Sequence, residues 1–145
     1  RWQNCFIKTT SLLGNVLLKQ HASSLGYDEA ILHRDQVITE GTTTNVFMVK
    51  QGVIYTPEKS QFILAGITRD LIIELAEKAS IKVMQKQVTI DDLLTADEVW
   101  VSSSSREISP VTQIDDKIVA QGNIGPMTKQ VHQLFQSFKQ QLIDA

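Results

Sequence analysis

Lys8 lies between the apolar pair Phe6 and Ile7 and an apolar segment that begins at Leu12, and Glu40 opens the polar run Glu40-Gly41-Thr42-Thr43-Thr44-Asn45. A lysine enclosed in a pocket can present a neutral amine, and a neutral amine attacks an aldehyde. A carboxylate in the place of Glu40 can keep a pyridine nitrogen protonated, so that the ring accepts the electron pair released when an amino acid loses its α-proton. Further along, Gly66 precedes Ile67 and Thr68 where a helix should start. Free backbone N–H groups, the positive helix end and the Thr68 hydroxyl there favour a phosphate dianion. Ser103 and Ser104, in the run Ser102-Ser103-Ser104-Ser105 at the end of a strand, offer further hydroxyl donors. Lysine, carboxylate and phosphate cradle together point to pyridoxal 5'-phosphate.

Each residue also has a plainer reading. Lys8 alone is a surface lysine, Glu40 a solvated loop carboxylate, and Thr42, Thr43 and Thr44 are β-forming residues in a turn as readily as residues lining a site. A glycine before a helix is common. The combination gives the assignment its weight. A serine nucleophile in Ser102 to Ser105 is disfavoured, because no glycine-flanked elbow surrounds it and only His21, His33 and His132 could act as base. These histidines lack metal-ligand spacing with the single cysteine, Cys5, so no metal site is expected.

Composition narrows the function classes. The 145 residues are 42% hydrophobic, enough for one domain with a sizeable core. Sixteen acidic against fourteen basic side chains give a net charge of -2, without the basic stripe of a nucleic-acid binder. One cysteine forms no internal disulfide, and no apolar run reaches the roughly 18 residues of a membrane span, so a cytoplasmic setting is expected. The chain does not open on methionine, and Arg1 to Lys8 read as a strand entering a site, so a start in mid-protein is expected.

The elements that must position these residues follow from periodicity. Leu13, Val16, Leu17 and Ala22 mark a helix over Leu12 to Leu25, ended by a left-handed Gly26. Glu29–Arg34 and Val37–Thr39 flank Asp35-Gln36, and Asn45–Val49 and Val53–Thr56 flank Gln51-Gly52, which predicts a meander of short antiparallel strands. A second helix runs from Ile67 to Ala79 with Ile67, Leu71, Leu75 and Ala76 on its inner face. Ile81–Met84 reads as an edge strand, Thr89 caps a short helix, Glu98–Val101 is a buried strand, and a polar hairpin surrounds Asp115-Asp116. Pro126 starts a last helix with Met127, Val131, Leu134, Phe135, Phe138 and Leu142 as its apolar positions. The fold class is α+β, and residues 1–145 read as one domain.

These residues resemble, in order and over nearly the whole chain, the class IV (fold-type IV) pyridoxal-phosphate aminotransferases, and within them the D-amino-acid (D-alanine) branch. Ile7-Lys8, Leu12-Leu13-Gly14-Asn15-Val16-Leu17, Glu29–Arg34, Thr39-Glu40-Gly41, Asn45-Val46-Phe47, Gly66-Ile67-Thr68-Arg69-Asp70 and Glu107–Val111 carry the resemblance. It implies a large, C-terminal cofactor-binding domain, a short-stranded antiparallel sheet or pseudo-barrel with surrounding helices, with the family's smaller N-terminal domain outside this chain. It implies Lys8 as the Schiff-base lysine and proton shuttle and Glu40 as partner of the pyridine nitrogen. Leu64 would lie against the ring, Gly66, Ile67 and Thr68 at the phosphate, and Ser103 and Ser104 beside the cofactor. Thr42, Thr43 and Thr44 depart from the serines usual in that branch, keeping the hydroxyls while adding methyls.

The implied reaction is ping-pong transfer of an amino group from a D-amino acid such as D-alanine to a 2-oxo acid such as 2-oxoglutarate, in a homodimer, without nucleic-acid or membrane partners. Branched-chain aminotransferase and aminodeoxychorismate lyase share the lysine and glutamate framework and are the nearest rivals. A non-catalytic domain that has kept the fold is the third reading, and an intact Lys8 and Glu40 argue against it.

Overall fold

Strands β3 (Asn45–Lys50) and β6 (Glu98–Ser103) pair antiparallel at the centre of a five-stranded sheet. The computed structural model describes residues 4–10 and 12–144, and Arg1 to Gln3, the expected start of an entering strand, lie outside them. Residues directly opposite in this ladder share a face: Asn45 with Ser102, Phe47 with Trp100 and Val49 with Glu98 on one side, Val46 with Val101 and Met48 with Val99 on the other. Phe47 and Trp100 stack with ring centroids 5.3 Å apart. Both faces are buried, which explains why these strands are continuously apolar rather than alternating.

One face is covered by α2 (Ile67–Lys78) and α4 (Pro126–Ile143), through Ile72, Ile73, Ala76, Val131 and Phe135. The other packs against Ile38, Val88, Leu93 and Val119. The full order is β5 (Val83–Gln85), β4 (Val53–Thr56), β3, β6 and β7 (Glu107–Val111), with β5 parallel to β4 and the other neighbours antiparallel. Two further pairs stand apart, β1 (Ile31–Arg34) with β2 (Val37–Gly41) and β8 (Gln113–Ile114) with β9 (Lys117–Ile118). The α+β class is as expected, with a mixed rather than wholly antiparallel sheet.

The turns confirm the hairpin reading. Asp35 and Gln36, and likewise Gln51 and Gly52, all have positive φ, as two-residue turns matched to strand twist require. The expected meander is nonetheless broken into two hairpins. Between β2 and β3 the chain closes a tight turn, with Gly41 N–H donating to Thr44 O, and among the strands β2 pairs with β1, with one further bridge from Val37 to Thr89. Strand β7 is an addition to the expected elements; Pro110 sits on it opposite Trp100, tolerated because β7 is an edge.

Three helices start and stop as the sequence indicates, and their inner faces differ in detail. In α1 (Leu13–Ser24), followed by Gly26 at φ +84°, only Ala22 is buried, while Leu13, Val16 and Leu17 face solvent. In α2, Ile67 is exposed and Ile72, Ile73 and Ala76 take the core positions, with Leu71 and Leu75 packed partly buried against them. Thr89 and Asp92 form a reciprocal capping box at α3 (Ile90–Leu94). Among the described residues no helix is long and apolar enough to cross a membrane, and no cluster of side chains could hold a metal ion.

Candidate active site

A cavity of about 400 Å³ opens between the segment before α1 and the turn joining β2 to β3. Lys8, Glu40, Thr42, Thr43, Thr44 and Leu64 all line it, so residues far apart in sequence converge as expected. Gly66, Ile67, Thr68, Ser103 and Ser104 do not. Gly66 to Thr68 stand at the start of α2, Gly66 against the lining residue Asn45, and Ser103 stands at the end of β6.

Lys8 departs from expectation. It is exposed, as are Phe6 and Ile7 beside it, so no apolar shell encloses its amine. Its segment is irregular rather than a strand end. Cys5 N–H donates to Gln61 O at 2.7 Å and Ile7 N–H to Asn4 O at 3.1 Å, a tether and a turn with no ladder.

Glu40 is the buried charge of the cavity, at 8% exposure near the end of β2. The strand is pinned there by Ile38 N–H donating to Val88 O and by a register shift in its pairing with β1 between Ile31 and His33. Glu40 Oε2 accepts one hydrogen bond, from Leu64 N–H at 2.8 Å, and no ion pair among the described residues reaches it. Burial therefore pushes the carboxyl up to about 7, the Leu64 bond acting in the opposite direction.

This has a consequence for stability. The folded chain holds the Glu40 proton more tightly than the unfolded chain, whose carboxyl titrates near 4.5. The resulting stability is fully present below about 4.5 and is lost as pH rises through about 7. Urea unfolding at stepped pH should show that decline in cofactor-free protein, and Glu40→Gln should flatten it; an unchanged slope in the variant would assign it to another group.

The threonine turn is organised from behind by Glu29, which sequence reasoning did not single out. Glu29 Oε1 accepts from the Thr42 hydroxyl, from Ala30 N–H at 3.0 Å and from Thr42 N–H at 3.3 Å, and Oε2 accepts from the Thr44 hydroxyl at 3.3 Å. The Thr42 and Thr44 hydroxyl protons are thus committed to Glu29 rather than to a molecule in the cavity. Thr43 is the exposed member of the three. Gly41 is required here, because a Cβ on it would fall 2.0 Å from Thr44 Oγ1. Asn15 Nδ2 donates to Thr42 O at 2.8 Å, tying α1 to the same turn.

Two observations bear on whether pyridoxal phosphate fits. A buried carboxylate with one backbone donor and no cation is matched by a protonated ring nitrogen. The N-terminus of α2, capped by Gly66 without any side-chain bond, leaves backbone N–H groups for an anion. Ser102 Oγ, buried and without a partner, shares the sheet face of Asn45. By contrast, Ser103 Oγ accepts from Arg106 N–H at 3.1 Å in its own turn.

Residues 1–114 match the family described as Amino-transferase class IV. The chain is 44% identical to the D-alanine aminotransferase of Staphylococcus epidermidis over 97% of its own length and 50% of that protein. It is 47% identical to that of Listeria monocytogenes, over 93% and 47% respectively. Among solved structures, the branched-chain amino acid aminotransferase of Escherichia coli superposes with a TM-score of 0.82 at 40% identity, covering 86% of this chain and 42% of that one. The branched-chain enzyme of Thermobaculum terrenum in its PLP form gives 0.87 at 31% identity, covering 93% and 45%. The chain spans about half the length of the curated relatives it matches. With the family matched over most of the sequence and the fold shared with its solved members, the chain belongs to the class IV aminotransferases.

Proposed function

We propose that this chain holds pyridoxal 5'-phosphate and supplies the cofactor side of amino-group transfer from a D-amino acid, D-alanine first, to a 2-oxo acid such as 2-oxoglutarate. The observation that carries the reading is the cavity that gathers Lys8 with Glu40, a buried carboxylate with no cation paired to it among the described residues. The cofactor supplies an electron sink for the pair left when the substrate's α-proton departs. Lys8 would hold the cofactor through its aldehyde carbon, with loss of water, and its amine is the group at this cavity that would take and return the substrate's α-proton. Glu40 would hold the ring nitrogen and keep it protonated. Leu64, fixed through its N–H, lines the wall beside the ring, while Gly66, Ile67 and Thr68 hold the phosphate. Ser103 and Ser104 stand next to that end, and Thr43 is the threonine facing substrate.

The choice of D-alanine rests on 44–47% identity to relatives named D-alanine aminotransferase. The second reading, a branched-chain L-amino-acid aminotransferase, is favoured by the solved structures, at 31–40% identity. Discrimination between them is a difference in transition-state binding, so kcat/KM decides. The protein with pyridoxal phosphate should convert D-alanine and 2-oxoglutarate to pyruvate and D-glutamate, with little turnover of L-leucine. Greater efficiency on L-leucine would establish the branched-chain reading instead.

A further inference from the structure

Asn45 joins the two ends of this site. It is buried at the start of β3, and its Nδ2 donates to Leu64 O at 2.8 Å, while Leu64 N–H donates to Glu40 Oε2 at 2.8 Å. Leu64 is thereby held on both sides, its amide by the carboxylate and its carbonyl by the asparagine. On its other edge the amide lies against Gly66, where a Cβ would meet Asn45 Oδ1 at 2.3 Å. The side chain is wedged along the short segment from Leu64 to Gly66, which runs from the partner of Glu40 to the N-cap of α2.

We propose that Asn45 is a positioning residue that clamps Leu64–Gly66, fixing the Glu40 carboxylate relative to the free N–H groups of the first turn of α2 so that the two match the ring nitrogen and the phosphate of one cofactor molecule. This rests on the pyridoxal-phosphate reading above. The chemistry of the contact requires an amide. Aspartate has the same shape but no donor, and would set a carboxylate against the Leu64 carbonyl; alanine would leave that carbonyl without its partner. With the clamp released, the Leu64 N–H drifts from Glu40, and the one influence holding that carboxyl down is lost.

The test uses Asn45→Asp, which keeps the side-chain shape, beside Asn45→Ala. Pyridoxal phosphate is titrated onto each protein and followed by absorbance, and the Glu40 carboxyl is titrated by NMR in cofactor-free protein. Cys5, Lys8 and, behind the turn, Glu29 are the other titratable groups at this cavity; Asn45→Asp adds a carboxylate to them, so the Glu40 titration is read in Asn45→Ala. Both variants should bind cofactor about tenfold more weakly, the loss of one buried hydrogen bond, and in Asn45→Ala Glu40 should titrate at higher pH than in wild type. Because the Gly66 Cβ position meets Asn45 Oδ1 at 2.3 Å, Gly66→Ala should weaken binding less in the Asn45→Ala background than in wild type. Unaltered affinity in both variants together with an unaltered Glu40 titration in Asn45→Ala would overturn the clamp. If wild type failed to bind pyridoxal phosphate, the cofactor reading would fall, and the Glu40 titration would still decide whether Asn45 governs the carboxylate.

Discussion

A Lys8→Ala protein is expected to lose amino-group transfer by on the order of 10⁴-fold or more, because it lacks both the covalent attachment point and the base at the α-carbon. No other lysine is among the described residues lining the cavity, so none is placed to substitute. The exposure of Lys8 makes the experiment clean. Its side chain contributes nothing to the core and lies on an irregular segment, so the variant should unfold at the same urea concentration as wild type. Cofactor should still bind through Glu40 and the α2 terminus, more weakly and reversibly. Borohydride treatment of wild type with pyridoxal phosphate makes the linkage permanent, and peptide mapping should find the label on Lys8. Label on a different lysine, or retained exchange of the substrate's α-hydrogen in the variant, would remove Lys8 from the chemistry.

What the sequence made legible, and what it did not, divides along physical lines. Periodicity located α2, α3, α4 and the hairpins, since those signals come from neighbours in the chain: a capping box at Thr89, paired positive-φ turns, a proline at the first turn of α4. It failed to say what covers a face. The apolar stripe of α1 implied an enclosed Lys8, yet Leu13, Val16 and Leu17 meet solvent in this chain. Lys8 and Glu40 were recognisable by their chemistry and by resemblance to the family. Glu29, Asn15 and Asn45 shape the same cavity and were overlooked as such. Each acts through hydrogen bonds to residues 13 to 27 positions away, and a polar side chain before a strand or on a helix carries no periodic mark of a distant partner. The threonine run shows the same limit, for its residues read as readily as turn formers as site-lining ones, and two of the three hydroxyls are bound from behind by Glu29.

Glu40→Gln is expected to slow removal of the substrate's α-proton by about 10²- to 10³-fold, the scale on which one preorganised electrostatic partner acts in a buried site. The substitution keeps volume and an acceptor oxygen, so the bond from Leu64 N–H survives and the cavity retains its walls. Only the negative charge is lost. In the cofactor-free chain burial holds this carboxyl at about 7, and a cation brought opposite it favours the ionised form, so the bound carboxylate is charged at neutral pH. Glutamine has no such response. It cannot keep a ring nitrogen protonated, and the departing electron pair is then poorly accommodated. Cofactor affinity should fall only modestly, because the proposed phosphate site at α2 and the proposed attachment at Lys8 lie apart from the substituted carboxylate. Single-turnover mixing of the loaded protein with D-alanine, followed by absorbance, separates the two effects. A wild-type single-turnover rate in Glu40→Gln would take Glu40 out of this role, and a large loss of affinity at an unchanged rate would make it a binding group alone.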